Sequence, residues 1–155
     1  MRLSIRQLLM LFKLKRTPRR PGFIDTINHE KLMQIVRNMT DIMETNKPFL
    51  KSGYTIGSLA DDLTIPSYQL SALLNQKLGS NFNDYINRFR IRHCIDLIHT
   101  GMGSRLNLKG LSAKCGFHNR NSFSAAFKKF TGRSPSEYSR YYFRTGFETG
   151  EPKLA

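Results

Sequence analysis

Residues 116–130 read GFHNRNSFSAAFKKF, and spacing sorts their types into two sets. Phe123, Phe127 and Phe130 recur at helical intervals, so one face of this stretch wants burial. Asn119, Arg120, Asn121, Ser124, Ala125 and Lys128 occupy the other face. That face offers amides, a guanidinium, a hydroxyl, a methyl and an ammonium. These are groups for base edges and phosphates. Arg can bond guanine O6 and N7 together, Asn can pair with adenine, and Ala can touch a thymine methyl.

The rest of the chain has little else that could do chemistry. Cys115 and His118 form a C-x-x-H pair, and His93–Cys94 adds two potential zinc ligands, but the spacing is loose. Carboxylates are few, and the adjacent pair Asp61–Asp62 falls on a helix surface. The G-x-x-x-x-G-K-S/T, G-x-S-x-G and H-E-x-x-H patterns are absent from the sequence. The expectation is a binding protein rather than an enzyme, with no metal and no cofactor.

Charge points the same way. The chain has 155 residues, 25 of them Lys or Arg against 11 Asp or Glu, and a formal net charge of +14. Such a balance suits a polyanion, either nucleic acid or an anionic membrane surface. Residues 1–21 carry seven bases and no acids. Residues 22–53 and 54–100 each hold four bases and four acids, so both are neutral. Residues 101–155 hold ten bases and three acids. The excess therefore sits in the first and last stretches, and GFHNRNSFSAAFKKF lies in the last. With 11 Phe and no Trp, the core is built on Phe, Leu and Ile. Two cysteines form no disulfide framework and suit a reduced, cytoplasmic setting. The N-terminal LLMLFKLKRTPRR is too short in its apolar run to span a membrane. It reads as a basic leader, as the cytoplasmic stub of a membrane-tethered protein, or as an amphipathic anchor.

Helices must position the polar face. Leu32, Ile35, Val36, Met39, Ile42 and Met43 form one stripe of a helix from about Asn28 to Asn46, capped by Asn28 and ended before Pro48. Thr55 caps a short helix with Ile56, Leu59, Ala60 and Leu63 inward. TIPS is a turn, and Ser67 is expected to cap the next helix, with Leu70, Leu73 and Leu74 inside and Gly79 as its stop. A long helix from about Asn81 to Thr100 follows, with Phe82, Tyr85, Ile86, Phe89, Cys94, Ile95 and Ile98 as its core stripe. No period-2 strand pattern is present.

The chain then repeats itself. TIGSLADDLTI (55–65) aligns with NLKGLSAKCGF (107–117) at an offset of 52 residues. One inserted residue shifts the offset to 53, pairing Leu70 with Phe123, Leu74 with Phe127, Gly79 with Gly132 and Tyr85 with Tyr138. Cys115 falls opposite Leu63, in a core slot. Two helix-turn-helix copies joined by a long helix are more specific than either copy alone.

From about residue 28 to 143 the sequence resembles the DNA-binding domain of AraC/XylS-type transcription regulators. The resemblance rests on LADDLTIPSYQLSALLNQKLGSNFNDYINRFRI and LSAKCGFHNRNSFSAAFKKFTGRSPSEY. It implies an all-α fold of about seven helices, with two helix-turn-helix units reading adjacent major grooves. The base-reading positions it implies are Arg120, Asn121, Ser124 and Ala125 in the second unit. In the first they are Ser67, Tyr68, Ser71 and Ala72, with Gln69 and Asn75 beside them. Tyr68 has a rival reading as a packing residue. Asn119, Lys128, Lys129, Arg133, Arg88 and Arg92 are the expected phosphate contacts. Arg88 and Arg92 share a side of their helix, whereas Arg90 lies opposite, where the family places an arginine with a structural share. Grooves one turn apart call for two blocks of base pairs spaced by about 10 base pairs.

The expected layout is a basic segment over 1–26, a helical domain over 27–143 and a flexible tail over 144–155, with the helix-turn-helix units at 55–79 and 107–132. Double-stranded DNA is the expected partner and RNA polymerase a further candidate. The effector is not identified. The resemblance implies that such domains usually follow a sensing or dimerising region, for which this chain has no room; a sensor, dimerisation or membrane region absent from this chain is a candidate, and a fragment and a stand-alone reader are both open. The rival from another class is a basic protein–protein or membrane-surface adaptor without sequence readout.

Overall fold

The computed structural model describes residues 27–102 and 106–145. The basic segment 1–26 and most of the expected tail lie outside those residues. The described residues form seven α-helices and one short 3-10 turn, with no strand among them. The helices are α1 (His29–Asn46), α2 (Ile56–Asp62), α3 (Ser67–Gln76), α4 (Phe82–His99), α5 (Leu108–Lys114), α6 (Arg120–Thr131) and α7 (Pro135–Thr145). No described helix is long and apolar enough to cross a membrane. The chain divides into two compact units. Among the described residues, the first takes 27–48 and 54–86; the second takes 49–53, 87–102 and 106–145.

In the first unit α1 starts where Asn28 accepts a hydrogen bond from the Glu30 N–H at 3.0 Å. It ends at Lys47, whose φ of 46° puts it in the left-handed region before Pro48. Val36, Met39 and Met43 are buried, whereas Leu32, Ile35 and Ile42 are only half-buried, so the apolar stripe is narrower than the spacing predicts. Thr55 caps α2, accepting from the Ser58 N–H at 3.1 Å. Leu59 and Ala60 of α2 share this core with Leu70, Leu73 and Leu74 of α3, and with Tyr85 and Ile86 at the start of α4. The Tyr54 hydroxyl donates to Asp62 Oδ2 at 2.7 Å, and burial with this carboxylate raises its pKa.

The second unit repeats the plan with other side chains. Its core takes Ile91, Cys94, Ile95, Leu97 and Ile98 from α4, Leu111 from α5, then Cys115 and Phe117. Phe123, Ala126, Phe127 and Phe130 of α6 and Tyr138 of α7 complete it. Ile91 and Leu97 belong to this core although the spacing did not single them out. A chain of edge-on rings runs Phe117–Phe123 (5.3 Å), Phe123–Phe127 (5.7 Å) and Phe127–Tyr138 (5.4 Å). Each fully buried Phe contributes about 1.5–3 kcal/mol by leaving water. Cys94 and Cys115 are both buried and free. The neighbouring Cys115 thiol and burial push the Cys94 pKa up, so it stays protonated and acts as a small apolar side chain.

The duplication is visible in the backbone. Leu63 N–H bonds to Leu59 O at 3.1 Å, and Cys115 N–H bonds to Leu111 O at 3.1 Å. Ile65 N–H reaches Ala60 O at 3.0 Å, and Phe117 N–H reaches Ser112 O at 3.0 Å. Between these bonds one residue takes a positive φ: Thr64 (54°) in the first turn, Gly116 (80°) in the second. The tight turn is therefore the same, but only the second copy uses glycine there.

Candidate nucleic-acid interface

The second helix of the second copy is built to show its polar side. Asn119 caps α6, its side-chain oxygen accepting from the Ser122 N–H at 2.8 Å. Gly132 closes it at φ 75°, its N–H bonding to Lys128 O at 2.9 Å. Phe123, Ala126, Phe127 and Phe130 fix one face in the core. Arg120, Asn121, Ala125 and Lys128 are thereby exposed, and Ser124 is half-buried. Lys128 and Lys129 lie in the last turn, where the helix dipole favours cations. The Lys129 ammonium also lies 5.8 Å from the Phe130 ring centre.

The corresponding helix of the first copy carries no charge. Ser67, Tyr68 and Asn75 of α3 are exposed, while Gln69, Ser71 and Ala72 are half-buried. Tyr68 is 66% exposed, which places it outside the core rather than in it. The outer groups bond among themselves: Gln69 Nε2 donates to the Tyr68 hydroxyl at 3.2 Å, and Asn75 Nδ2 donates to Ser71 O at 2.8 Å. The expectation that Ser67 caps this helix is corrected. Ser67 is already the first helical residue, and the cap position falls on Pro66, which makes no side-chain cap bond. At the offset of 53 the cap slot is the same in both copies, filled by Asn119 in the second and by Pro66, which has no polar side chain, in the first.

The arginines of α4 divide by what they touch. Arg90 is bound into the second unit. Its Nε donates to Phe49 O at 2.7 Å, its Nη2 donates to Lys51 O at 3.1 Å, and its guanidinium lies 5.3 Å from the Phe117 ring. Burial lowers its pKa. Phe49 is held from the side as well, stacked on Phe89 at 5.7 Å. Arg90 thus fixes residues 49–51, the partners of the structural share that the resemblance implied for it. Arg88 lies over Phe130 at 5.2 Å and is half-buried, as is Arg92. Arg133 is exposed and stacks on Tyr141 at 3.9 Å.

Each copy places its second helix with the apolar side buried and the polar side outward, so the class is a double helix-turn-helix module. A family model for a helix-turn-helix domain matches residues 59–141, more than half of the chain. The chain belongs to the AraC/XylS-type helix-turn-helix family, a family of transcription-regulator domains rather than of enzymes. It is 37% identical over 91 residues to YijO, an uncharacterized HTH-type transcriptional regulator of Escherichia coli strain K12, covering 59% of this chain and 31% of that protein. The chain thus spans about a third of the length of this curated relative. Among solved structures, the C-terminal domain of AraT, a response regulator from Geobacillus stearothermophilus, superposes with a TM-score of 0.59 at 25% identity. That match covers 76% of this chain and 92% of that one. The DNA-binding domain of AdpA, a global transcriptional factor solved with a target DNA, shares the fold with a TM-score of 0.59 at 16% identity, over 76% of this chain and 97% of that one.

Proposed function

We propose that this chain binds double-stranded DNA sequence-specifically as the DNA-reading part of a transcription regulator. The observation that carries the reading is the outer face of α6: a capped helix, pinned by three phenylalanines, that exposes Arg120, Asn121 and Ala125 beside the half-buried Ser124. These are groups that discriminate base edges in a major groove, at about 1–3 kcal/mol for a good bidentate pair. The uncharged α3 reads a second block of bases through Ser67, Tyr68, Gln69, Ser71, Ala72 and Asn75. Asn119, Lys128, Lys129, Arg133, Arg88 and Arg92 hold phosphates and set the register. The cytoplasm is the matching location, and RNA polymerase is the matching protein partner of such a regulator.

Selection of sites from a random DNA library at near-physiological salt tests this. The expected motif has two blocks of fixed bases about one helical turn, roughly 10 base pairs, apart. No enrichment refutes sequence readout. Arg120→Ala should relax preference at one or two base pairs. Lys128→Ala should weaken every duplex alike and lessen the salt slope by about 1. Equal losses on all duplexes from both variants would overturn the division of roles.

A further inference from the structure

We propose that the outer face of α7 is a docking surface for an acidic segment of a partner protein. Glu137, Arg140, Tyr141 and Arg144 are spaced three, four and seven residues apart, so they share one side of the helix, and together they line a shallow open depression. Tyr141 is 52% exposed and gives the depression its aromatic ring. The Arg133 guanidinium covers one side of its ring at 3.9 Å. Arg140 and Arg144 are exposed one helical turn apart. The one carboxylate present is already committed: Glu137 accepts from the Ser134 N–H at 2.8 Å and caps α7. Its pKa is lowered by that bond with Ser134 and by nearby cations.

The charge of this face selects an anion, and its exposed tyrosine ring selects the kind. A phosphate backbone can take the arginines and a tyrosine hydroxyl, but it makes no use of an exposed ring face. A carboxylate-bearing peptide gains twice. Its acids pair bidentately with arginine forks, and an aromatic or aliphatic side chain packs on Tyr141. Tyr and Arg are also the residues enriched where binding energy concentrates in protein interfaces. This surface lies outside the proposed base-reading helices; it shares only Arg133 with the proposed phosphate contacts.

The test uses the full chain, immobilised, and a displayed library of random short peptides. Enriched sequences should combine acidic residues with an aromatic or large aliphatic one. A peptide made from the consensus should lose at least about tenfold in affinity on Tyr141→Ala and on Arg144→Glu, an ordinary loss at an interface anchor. Both side chains are exposed, and unchanged thermal unfolding confirms that the variants fold. Binding of the selected DNA should change less than about twofold in Tyr141→Ala, a change within RT. Peptides that bind wild type and both variants equally, or enriched peptides without acids, overturn the proposal. A parallel loss of DNA affinity in Tyr141→Ala would instead assign this face to the nucleic acid.

Discussion

Gly116 carries two burdens that a single substitution exposes. Its φ of +80° is costly for any residue with a Cβ. An added Cβ would also press on the Phe49 carbonyl oxygen and come within 2.8 Å of Leu50 Cα and 2.9 Å of Leu50 C. These are backbone atoms of the turn held by Arg90, so they cannot rotate away. Gly132 separates the two terms, since its φ is +75° but an added Cβ there meets nothing within 4 Å. Gly132→Ala should therefore cost only the conformational term, about 1–2 kcal/mol. Gly116→Ala should cost that plus an overpacking term of about 1–3 kcal/mol. A total of about 2–5 kcal/mol is a large share of the 5–15 kcal/mol typical of a native domain. Urea unfolding of the full chain, followed by helical circular dichroism, measures both. Should Gly116→Ala cost no more than Gly132→Ala, the close approach of residues 49–50 contributes nothing and the argument fails.

Arg90→Ala should destabilise by about 1.5–3 kcal/mol, the value of a hydrogen bond to a charged group, because it strips the buried Phe49 carbonyl of its donor; thermal unfolding unchanged in that variant would refute the clamp. Asn119→Ala should cost about 1 kcal/mol of stability through the lost cap, whereas Ser67→Ala should cost almost none; equal losses in urea unfolding would contradict the cap assignments. His99 stacks on Tyr142 at 4.0 Å and bonds to the Tyr138 hydroxyl at 3.2 Å, and burial lowers its pKa despite the opposing charge of Asp96. The unfolded chain therefore takes up its proton first. Stability should be full above about 6.5 and decline as pH falls through that value toward the lower folded one. His99→Gln should flatten that decline in pH-resolved unfolding, and an unchanged slope would dismiss His99 as its source.

Much of this was legible because helices write their burial locally. The Phe123, Phe127 and Phe130 spacing identified α6 and its outer face, and the duplicated pattern of 55–65 and 107–117 located α2 and α5 together with their turns. What escaped is set by atoms distant in sequence or by backbone geometry. Nothing in NRFRI points to carbonyls at Phe49 and Lys51, which are 41 and 39 residues away. Thr64 adopts a positive φ that its β-branched side chain disfavours, so no local signal announces the turn there. Ser67 has the composition of a cap but is already the first helical residue, because the cap slot that Asn119 fills in the second copy is held by Pro66 in the first.

The placement of residues 49–53 bears on how the protein could be dissected. By sequence they fall between α1 and α2 of the first unit, yet their partners, Arg90, Phe89 and Gly116, lie in the second. A fragment beginning at residue 87 would carry a whole helix-turn-helix and still lack the carbonyls its arginine binds. A fragment ending at residue 86 would carry a loop with nothing to hold it. The two copies repeat one plan but are not separate beads. Adding a third by tandem insertion, or excising one by a single cut, would break a splice that runs through the backbone itself.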